Sequence, residues 1–294
     1  SVIKSHFSGL KSGELPAGAL GALSLGIIEK ENKQVWMRVD PIQVHMDARE
    51  AVCAGNRFLN LESDELQSLE DSFNDYFKDE GFQFYFKDPK AWYLCLQKQP
   101  DIGTNALADV EGKPPHLMLP TGPDQSFWHT KLTECQMLLK THAVNQNRVK
   151  HKKPTVDSVW FWGPGRLPSD VKTYLDYVCT NSQPIQGLCA LAGIDFMSLP
   201  EDYKHLEKNL LNNQCETAAI MDTRFKRYHN FSNLSERQER LNFYEKAWFT
   251  PLLASLQEGK IKSIVIDGCD GKRFYLTKRH LRYFWRRNQN YAAI

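Results

Sequence analysis

The 294-residue chain lacks a strong charge imbalance, a long apolar run and any paired cysteine motif. Its 37 basic and 35 acidic residues nearly cancel, so net charge indicates no polyanionic partner, and only local clusters could attract one. The apolar stretch between Leu15 and Ile28 is interrupted by Pro16 and several glycines, and it is too short to span a bilayer. It also lacks the organisation of a signal peptide. We therefore expect no membrane segment.

Seven cysteines are dispersed along the chain, and none forms a CxxC pair. An odd, scattered set in a chain of this length favours reduced thiols over a disulfide framework or a zinc knuckle. We expect a cytoplasmic protein on this basis. The sequence also contains no HxxH or HExxH run, which removes the common helical zinc motifs.

The composition is that of a globular protein with a substantial core, since 41% of the residues are hydrophobic and 12% are aromatic. Predicted strands and helices alternate in the second half, which is typical of an α/β layered sheet. We predict an α/β fold in which helices flank a mixed sheet, formed by one domain over residues 1–294. Residues 34–110 are predicted to form a smaller α+β insertion within it.

In the first half, residues 34–40 alternate apolar and polar side chains and predict a strand that Pro41 halts, with IQVHMD resuming it. Residues 61–77 have apolar positions at helical spacing, with Ser63 as the expected cap. The runs FQFYF and AWYLCLQ predict two strands paired across the turn at residues 87–90.

In the second half, residues 125–142 predict a helix and residues 148–153 predict a basic linker. The strand at residues 158–162 follows, and a helix is expected from Ser169. A long helix is predicted over residues 235–257, and two short strands are predicted around a turn at residues 267–271.

The segment VWFWGPGRLP combines a strand pattern with a turn that contains Gly163, Gly165 and Arg166. Glycines allow the backbone to approach a phosphate closely, and an arginine can add a bidentate contact. The spacing matches neither the dinucleotide fingerprint nor the Walker loop. A ligand contact by these three residues and a purely structural corner therefore both remain open.

Asp267 and Asp270 flank a turn after the apolar strand IVID, and His229 lies in a polar loop after another strand. Carboxylates at strand ends commonly hold metals in α/β folds. A turn rich in Asp and Gly between two strands is also a common hairpin signal, and we favour that interpretation. The three residues are candidate metal ligands, although a metal site normally needs three or more converging ligands.

The C-terminal segment alternates aromatic and basic residues, a pattern that can bind single-stranded nucleic acid. A helix with Leu281, Phe284 and Trp285 facing the core would explain the pattern structurally, and we favour it. The basic residues are Lys272, Arg273, Lys278, Arg279, Arg282, Arg286 and Arg287.

Taken in order, several motifs resemble bacterial RpfE-type regulatory proteins, which are similar to cofactor-independent phosphoglycerate mutases. The stretches that carry the resemblance are RVDPIQVHMD, AWYLCL, LPTGPDQSFWHTKLTECQMLLKTHAVN, DSVWFWGPGRLP and RYFWRR. A weaker resemblance to the mutases themselves rests on the Gly-x-Gly turn, GLCALAGIDFMSLP and the final IVIDGCDG.

The resemblance implies an alkaline-phosphatase-like fold and phosphoryl transfer by a serine, assisted by two divalent metals, Mn²⁺ or Mg²⁺, held by Asp and His residues. The sequence departs from this pattern. No serine nucleophile can be assigned, an Asp-His pair is absent, and no metal-binding aspartate strand precedes Arg38. The chain begins at Ser1, as expected of a processed or truncated product, and a missing segment could hold some ligands.

We therefore predict a catalytically degenerate relative of the mutases that acts by binding or regulation, with a phosphorylated small molecule as the expected ligand. The first alternative is an active metal-dependent phosphoglycerate mutase or phosphatase. The second is a nucleic-acid-binding regulator that uses the basic C-terminal segment.

Overall fold

The computed structural model describes residues 5–10, 13–47, 50–212, 215–222, 234–268 and 272–282. The strands in these ranges are β1 (Phe7–Ser8), β2 (Val35–Met46), β3 (Ala51–Gly55), β4 (Gln83–Asp88), β5 (Ala91–Leu96), β6 (Ser158–Gly165), β7 (Lys172–Thr173), β8 (Tyr177–Thr180), β9 (Asp195–Met197), β10 (Ala218–Met221), β11 (Ser263–Asp267) and β12 (Arg273–Thr277). The helices are α1 (Ala17–Ser24), α2 (Ser63–Tyr76), α3 (Leu107–Val110), α4 (Gln125–Thr141), α5 (Ala143–Lys150), α6 (Gln183–Ala192), α7 (Tyr203–Asn212), α8 (Leu234–Tyr244) and α9 (Thr250–Glu258). The α/β class predicted from the sequence is confirmed.

Strand β2 is the centre of a five-stranded antiparallel sheet, because it pairs with β6 on one edge and with β5 and then β3 on the other. The predicted interruption at Pro41 is wrong, since β2 runs through it. The carbonyl of Ile42 accepts a hydrogen bond from the Asp157 N–H at 3.0 Å, on the β6 side. Backbone groups alternate along a strand, so the Pro41 nitrogen faces the other side. There, pairing with β5 has ended at Arg38 and pairing with β3 begins only at Gln43, so no ladder hydrogen bond is lost.

The main core lies between this sheet and helices α2 and α4. The predicted hairpin of β4 and β5 is confirmed, and all six residues of β5 are buried. Phe86 stacks on Trp92 with ring centroids 3.8 Å apart, and Phe73 of α2 meets both rings edge-on. Aromatic side chains bury large apolar areas, so this cluster is a major source of stability for the region.

A hydrogen-bonded ion pair within this core joins the first turn of α2 to the buried side chain of Arg148. The cap of α2 is Glu62 rather than the predicted Ser63, and Glu62 and Glu65 form a capping box. Glu65 also accepts a hydrogen bond from Arg148 at 2.6 Å. Arg148 lies in α5 with a side chain only 1% exposed, so the prediction of a basic linker from this residue is wrong. The carboxylate of Glu65 explains why this arginine is buried.

The second half contains a three-stranded parallel sheet in the order β10–β8–β9. The helix expected from Ser169 does not form. Instead, the chain makes β7, which pairs with the distant β1, and then enters β8. Pairing with strands far away in the sequence decides the conformation here, and local periodicity cannot reveal such partners.

Helix α1 packs closely against strand β2 of the antiparallel sheet and against helix α6, which lies beside the parallel sheet. At Gly18, an added Cβ would lie 2.4 Å from the Met37 Cα of β2. At Gly187 of α6, it would lie 2.1 Å from the Leu20 carbonyl oxygen of α1. These glycines permit backbone contacts that any side chain would prevent, so α1 connects the antiparallel sheet to α6 beside the parallel sheet.

The predicted long helix near the C-terminus is present as α8, the π-helical turn Glu245–Phe249 and α9. The predicted hairpin is also confirmed, because β11 and β12 pair antiparallel as a separate two-stranded sheet. Among the described residues, no helix is long and apolar enough to cross a membrane. Six cysteines are free thiols, while Cys269 lies outside the described residues.

Candidate functional site at the carboxyl edge of the parallel sheet

The topology places a candidate site between the carboxyl ends of β8 and β10. From β8 the chain passes through α6 to β9 on one side, and then returns to form β10 on the other side. Strand order therefore reverses between β8 and β10, and ligands of open α/β sheets bind at such a switch point. Thr180 ends β8 in a fully buried position, and its hydroxyl donates to the Met221 carbonyl of β10 at 3.2 Å.

The polar side chains that follow the two strands already have partners within the protein. Asn181 accepts the Leu199 N–H at 2.9 Å. Asp222 accepts the Tyr244 hydroxyl at 2.6 Å, and Tyr244 is the last residue of α8. A carboxylate held in this way is fixed in orientation at the edge of the sheet.

Gln183, the first residue of α6, extends this edge to the antiparallel sheet. Its side-chain oxygen accepts hydrogen bonds from Arg38 at 2.8 Å and from the Tyr93 hydroxyl at 2.7 Å. Its side-chain nitrogen donates to Asp88 at 3.2 Å. Burial raises the pKa of Tyr93, with Arg38 opposing the shift, so the phenol is the neutral donor in this network.

Arg38 and Asp40 form the centre of the network, because both lie on β2 and are almost fully buried. Two guanidinium nitrogens donate to one oxygen of Asp40, at 2.8 and 2.6 Å. The other oxygen of Asp40 accepts the indole N–H of Trp162 at 2.8 Å. The Arg38 guanidinium also lies over the rings of Tyr93 and Trp162. Such a buried pair is stable only when its hydrogen bonds are satisfied, as they are here.

The Gly163–Gly165 segment does not form a terminal turn. Strand β6 continues to Gly165, which pairs with Trp36, and one extra residue on β6 makes a β-bulge. Gly163 has φ of 61°, a conformation suited to glycine. Added Cβ atoms would lie 2.6 Å from Cβ of Ala17 at Gly163 and from Cβ of Pro16 at Gly165. Close packing against the start of α1 therefore requires both glycines.

The backbone N–H of Gly163 donates to an internal carboxylate. It donates to Glu14 at 3.0 Å and to the Thr104 hydroxyl oxygen at 2.9 Å. Thr104 in turn donates to Glu14 through both its hydroxyl and its backbone N–H. Desolvation raises the pKa of the Glu14 carboxyl, while these hydrogen bonds oppose the shift. The Glu14 carboxyl group thus occupies the position beside the Gly163 N–H that the phosphate-cradle interpretation gives to a ligand.

Arg166 lies just beyond the bulge and is exposed. One guanidinium nitrogen donates to the backbone carbonyl of Lys33. Arg166 and Lys33 both line a groove at this end of the sheet. A ligand role for Gly163, Gly165 and Arg166 stays a prediction, and Arg166 is the one whose side chain faces an open space.

Of the predicted metal ligands, Asp267 lies at the end of β11 and accepts a hydrogen bond from Arg273 of β12 at 2.6 Å. Asp270 and His229 lie outside the described residues. Within the described ranges, no group of three His, Cys, Asp or Glu side chains is placed to hold a metal ion. That part of the chain does not provide the ligand set that Mn²⁺ or Mg²⁺ would need, and the metal roles of the three residues stay predictions.

Sequence reasoning did not identify Arg38, Asp40 or Gln183 as members of a polar cluster. One usable signal was the RVD triplet, since residues two apart on a strand share a face. An arginine and an aspartate on one face of an otherwise apolar strand indicate a buried pair. The contribution of Gln183 had no such signal, because it depends on how α6 meets the antiparallel sheet.

No family model matches the chain. In sequence, it is similar to the 2,3-bisphosphoglycerate-independent phosphoglycerate mutase of Methanosarcina acetivorans, at 26% identity over 179 residues, which cover 56% of this chain and 43% of that protein. The corresponding enzyme of Methanosarcina mazei is 27% identical over 163 residues, covering 51% of this chain and 40% of that protein. The chain is thus related to these mutases, and it spans less than half the length of the relatives it matches.

A solved cofactor-independent phosphoglycerate mutase from Thermoplasma acidophilum aligns with 72% of this chain and 61% of its own, at 19% identity and a TM-score of 0.40. A score at this level does not establish a shared fold. The resemblance to RpfE-type regulatory proteins and the expected loss of catalysis stay predictions.

Proposed function

We propose that this chain is a regulatory or binding protein of the RpfE type, derived from the cofactor-independent phosphoglycerate mutases, and that it binds a phosphorylated small molecule without turning it over. The sequence similarity to the mutases supports the ancestry. The proposed loss of turnover is supported by the hydrogen bonds that two carboxylates, Asp267 and Asp222, accept from neighbouring side chains.

The observation that carries the proposal is the position of Asp267. A metal-binding carboxylate in an α/β enzyme lies at a strand end that faces the ligand, beside other ligands. Asp267 lies instead in a separate two-stranded sheet, where it pairs with Arg273. Asp222, at the edge of the parallel sheet, is held by Tyr244. Both carboxylates therefore accept hydrogen bonds from neighbouring side chains of this chain.

The test is a mutase assay on the full chain with 3-phosphoglycerate and either Mn²⁺ or Mg²⁺, combined with elemental analysis of the purified protein. We expect no interconversion with 2-phosphoglycerate and no stoichiometric metal. Turnover that is abolished by Asp267→Ala or His229→Ala would establish the alternative, an active metal-dependent enzyme. Lys150→Ala, an exposed change on α5, serves as the control for nonspecific loss.

A second candidate function, nucleic-acid binding, is favoured by the surface of the C-terminal hairpin. Phe274 and Tyr275 of β12 are 51% and 60% exposed, and Lys278, Arg279 and Arg282 follow as exposed cations. Exposed rings beside basic side chains fit the stacking and phosphate contacts of single-stranded nucleic acid. Residues 283–294, which include Arg286 and Arg287, lie outside the described residues.

Fluorescence anisotropy with a labelled single-stranded oligonucleotide tests this candidate. If it is correct, binding weakens steeply with salt, and Arg279→Gln and Arg282→Gln reduce the salt dependence. Tyr275→Ala should weaken binding at every salt concentration because it removes stacking. Binding that is absent, or that does not change with salt, rejects the candidate.

A further inference from the structure

A polar groove lies at the end of the antiparallel sheet where Arg166 emerges from β6. It has a volume of about 520 Å³, which is in the range of small-molecule sites. Its walls come from the segment before β2, the start of β4, the end of β5 and the residue after β6. It is thus built by four segments of the sheet and does not belong to the carboxyl edge of the parallel sheet.

The groove has the charge of an anion site. Two cations, Lys33 and Arg166, line it together with three carboxamides, Gln34, Gln83 and Gln97. No Asp or Glu is among the residues that line it. Arginine and lysine together suit a phosphate, since the guanidinium gives directed paired hydrogen bonds and the ammonium adds a point charge. The carboxamides can donate to, or accept from, hydroxyl or carboxylate groups on the rest of a ligand.

Local features position two of these side chains, Arg166 and Gln97. The Lys33 backbone carbonyl accepts a hydrogen bond from one nitrogen of Arg166, which orients the guanidinium and leaves its other N–H groups for a ligand. Gly81 has φ of 69°, and an added Cβ would lie 2.3 Å from the Gln97 side-chain nitrogen. Gln97 therefore occupies the space above a residue that has no side chain, which keeps its carboxamide at the wall of the groove.

The nearby Gly163 N–H is not the anion donor, because it already donates to Glu14 and Thr104. We propose that the groove between Lys33 and Arg166 binds the phosphate group of a small phosphate monoester, with the three carboxamides contacting the remainder. This inference rests on the proposed binding function and assigns it a site. The phosphate contacts are made by side chains of the groove, whereas the glycines of the bulge serve packing.

Isothermal titration of the full chain with glycerol 3-phosphate tests the site, because this monoester is not a mutase substrate. Inorganic phosphate and glycerol identify which part of the ligand is recognised. We expect the monoester to bind more tightly than inorganic phosphate, and glycerol not to bind. Arg166→Gln should weaken binding of the monoester about tenfold or more. Lys33→Gln should have a similar effect, and it retains the backbone carbonyl that accepts the hydrogen bond from Arg166.

Arg166→Lys keeps the charge but loses the paired geometry, so it should bind between the wild type and Arg166→Gln. Lys150→Gln is the matched control, being an exposed cation on α5 that does not line the groove, and it should bind like the wild type. Equal affinity in the Lys33→Gln/Arg166→Gln double variant overturns the site, and so does the absence of any binding at millimolar ligand. If the protein shows mutase turnover and also binds the monoester through Lys33 and Arg166, the proposed function is refuted while the proposed binding site is supported.

Discussion

In the five-stranded antiparallel sheet, nine of the twelve residues of β2 and all six of β5 are buried, whereas the parallel sheet buries β8 but leaves β9 and β10 partly exposed. A similar contrast separates an ion pair of the antiparallel sheet from an ion pair of the separate β11–β12 hairpin. Arg38–Asp40 and Arg273–Asp267 are both 2.6 Å long, but the arginine side chains are 8% and 49% exposed. The Arg38–Asp40 pair therefore acts as internal structure, whereas the arginine of the Arg273–Asp267 pair is accessible to solvent.

The largest expected effect comes from breaking the buried pair. Arg38→Met leaves the Asp40 carboxylate buried without its cation and should lower the free energy of unfolding by about 3–5 kcal/mol. Arg273→Met is the matched change at the exposed pair and should cost no more than about 1 kcal/mol. Urea denaturation measures both. Equal losses in the two variants would contradict the contrast between the two ion pairs.

A smaller effect is expected from adding one methyl group to a glycine with positive φ in each region. Gly163 and Gly193 have φ of 61° and 72°, so alanine is strained at both. A Cβ at Gly163 would also meet Ala17, whereas nothing lies within 4 Å of one at Gly193. Gly163→Ala should therefore cost about 1–3 kcal/mol more than Gly193→Ala. Thermal and urea denaturation give the two values, and similar costs would show that α1 yields to the added methyl group.

The smallest effect concerns the pH dependence of two helix starts. His142 caps α5, accepting the Val144 N–H through Nδ1 and contacting Ser72 through Nε2. Burial lowers its pKa, so the folded state favours neutral imidazole. The stability that the neutral His142 cap contributes is fully present above the unfolded-state pKa of about 6.5. It is lost as the pH falls from that value through the pKa of His142 in the folded state. His142→Asn keeps a side-chain acceptor at the cap and should remove this loss of stability at low pH.

In the second region, Asp202 precedes α7 and accepts the His205 N–H at 3.0 Å, which lowers the pKa of this carboxyl. The stability that the Asp202 carboxylate contributes is present above the unfolded-state pKa of about 3.9. It is lost only at lower pH, as the pH falls through the pKa of Asp202 in the folded state. Urea denaturation between pH 4.5 and 7.5 should thus show a pH-dependent difference between His142→Asn and wild type. In a His205→Asn background, which removes the imidazole that contacts the Asp202 carboxylate, Asp202→Asn should show a constant difference there. This pH range begins above the reference value of about 3.9 for aspartate and ends about one unit above that of about 6.5 for histidine.

Local sequence patterns predicted the elements whose partners are close in the chain. The apolar spacing of α2 and α4 and the turns of the β4–β5 and β11–β12 hairpins were sufficient, because neighbouring residues settle these conformations. The cap of α2 was wrong by one residue, since Glu62 and Glu65 satisfy the helix start together. The helix expected from Ser169 failed because β7 and β8 pair with strands far away in the sequence.

The candidate functional residues divide in the same way, into features that local sequence predicts and features that depend on distant partners. Arg166 could be singled out from its sequence context, but its partnership with Lys33 across the groove depends on where the segments of four strands meet. Asp267 was correctly placed at a hairpin, whereas its ion pair with Arg273 is a property of the register of that hairpin. Gln183 was not a candidate, because its three partners lie between 90 and 145 residues away.

By itself, the sequence determined the α/β class, the local helices and hairpins, and the apolar strands, because periodicity and turn chemistry act between neighbouring residues. Only the tertiary structure decided that Arg148 is buried, that Pro41 lies within a continuous strand, and that the Gly163 N–H donates to Glu14. Each of these depends on which distant backbone or carboxylate comes within hydrogen-bond distance, and that distance is set by the packing of α1 and the two sheets.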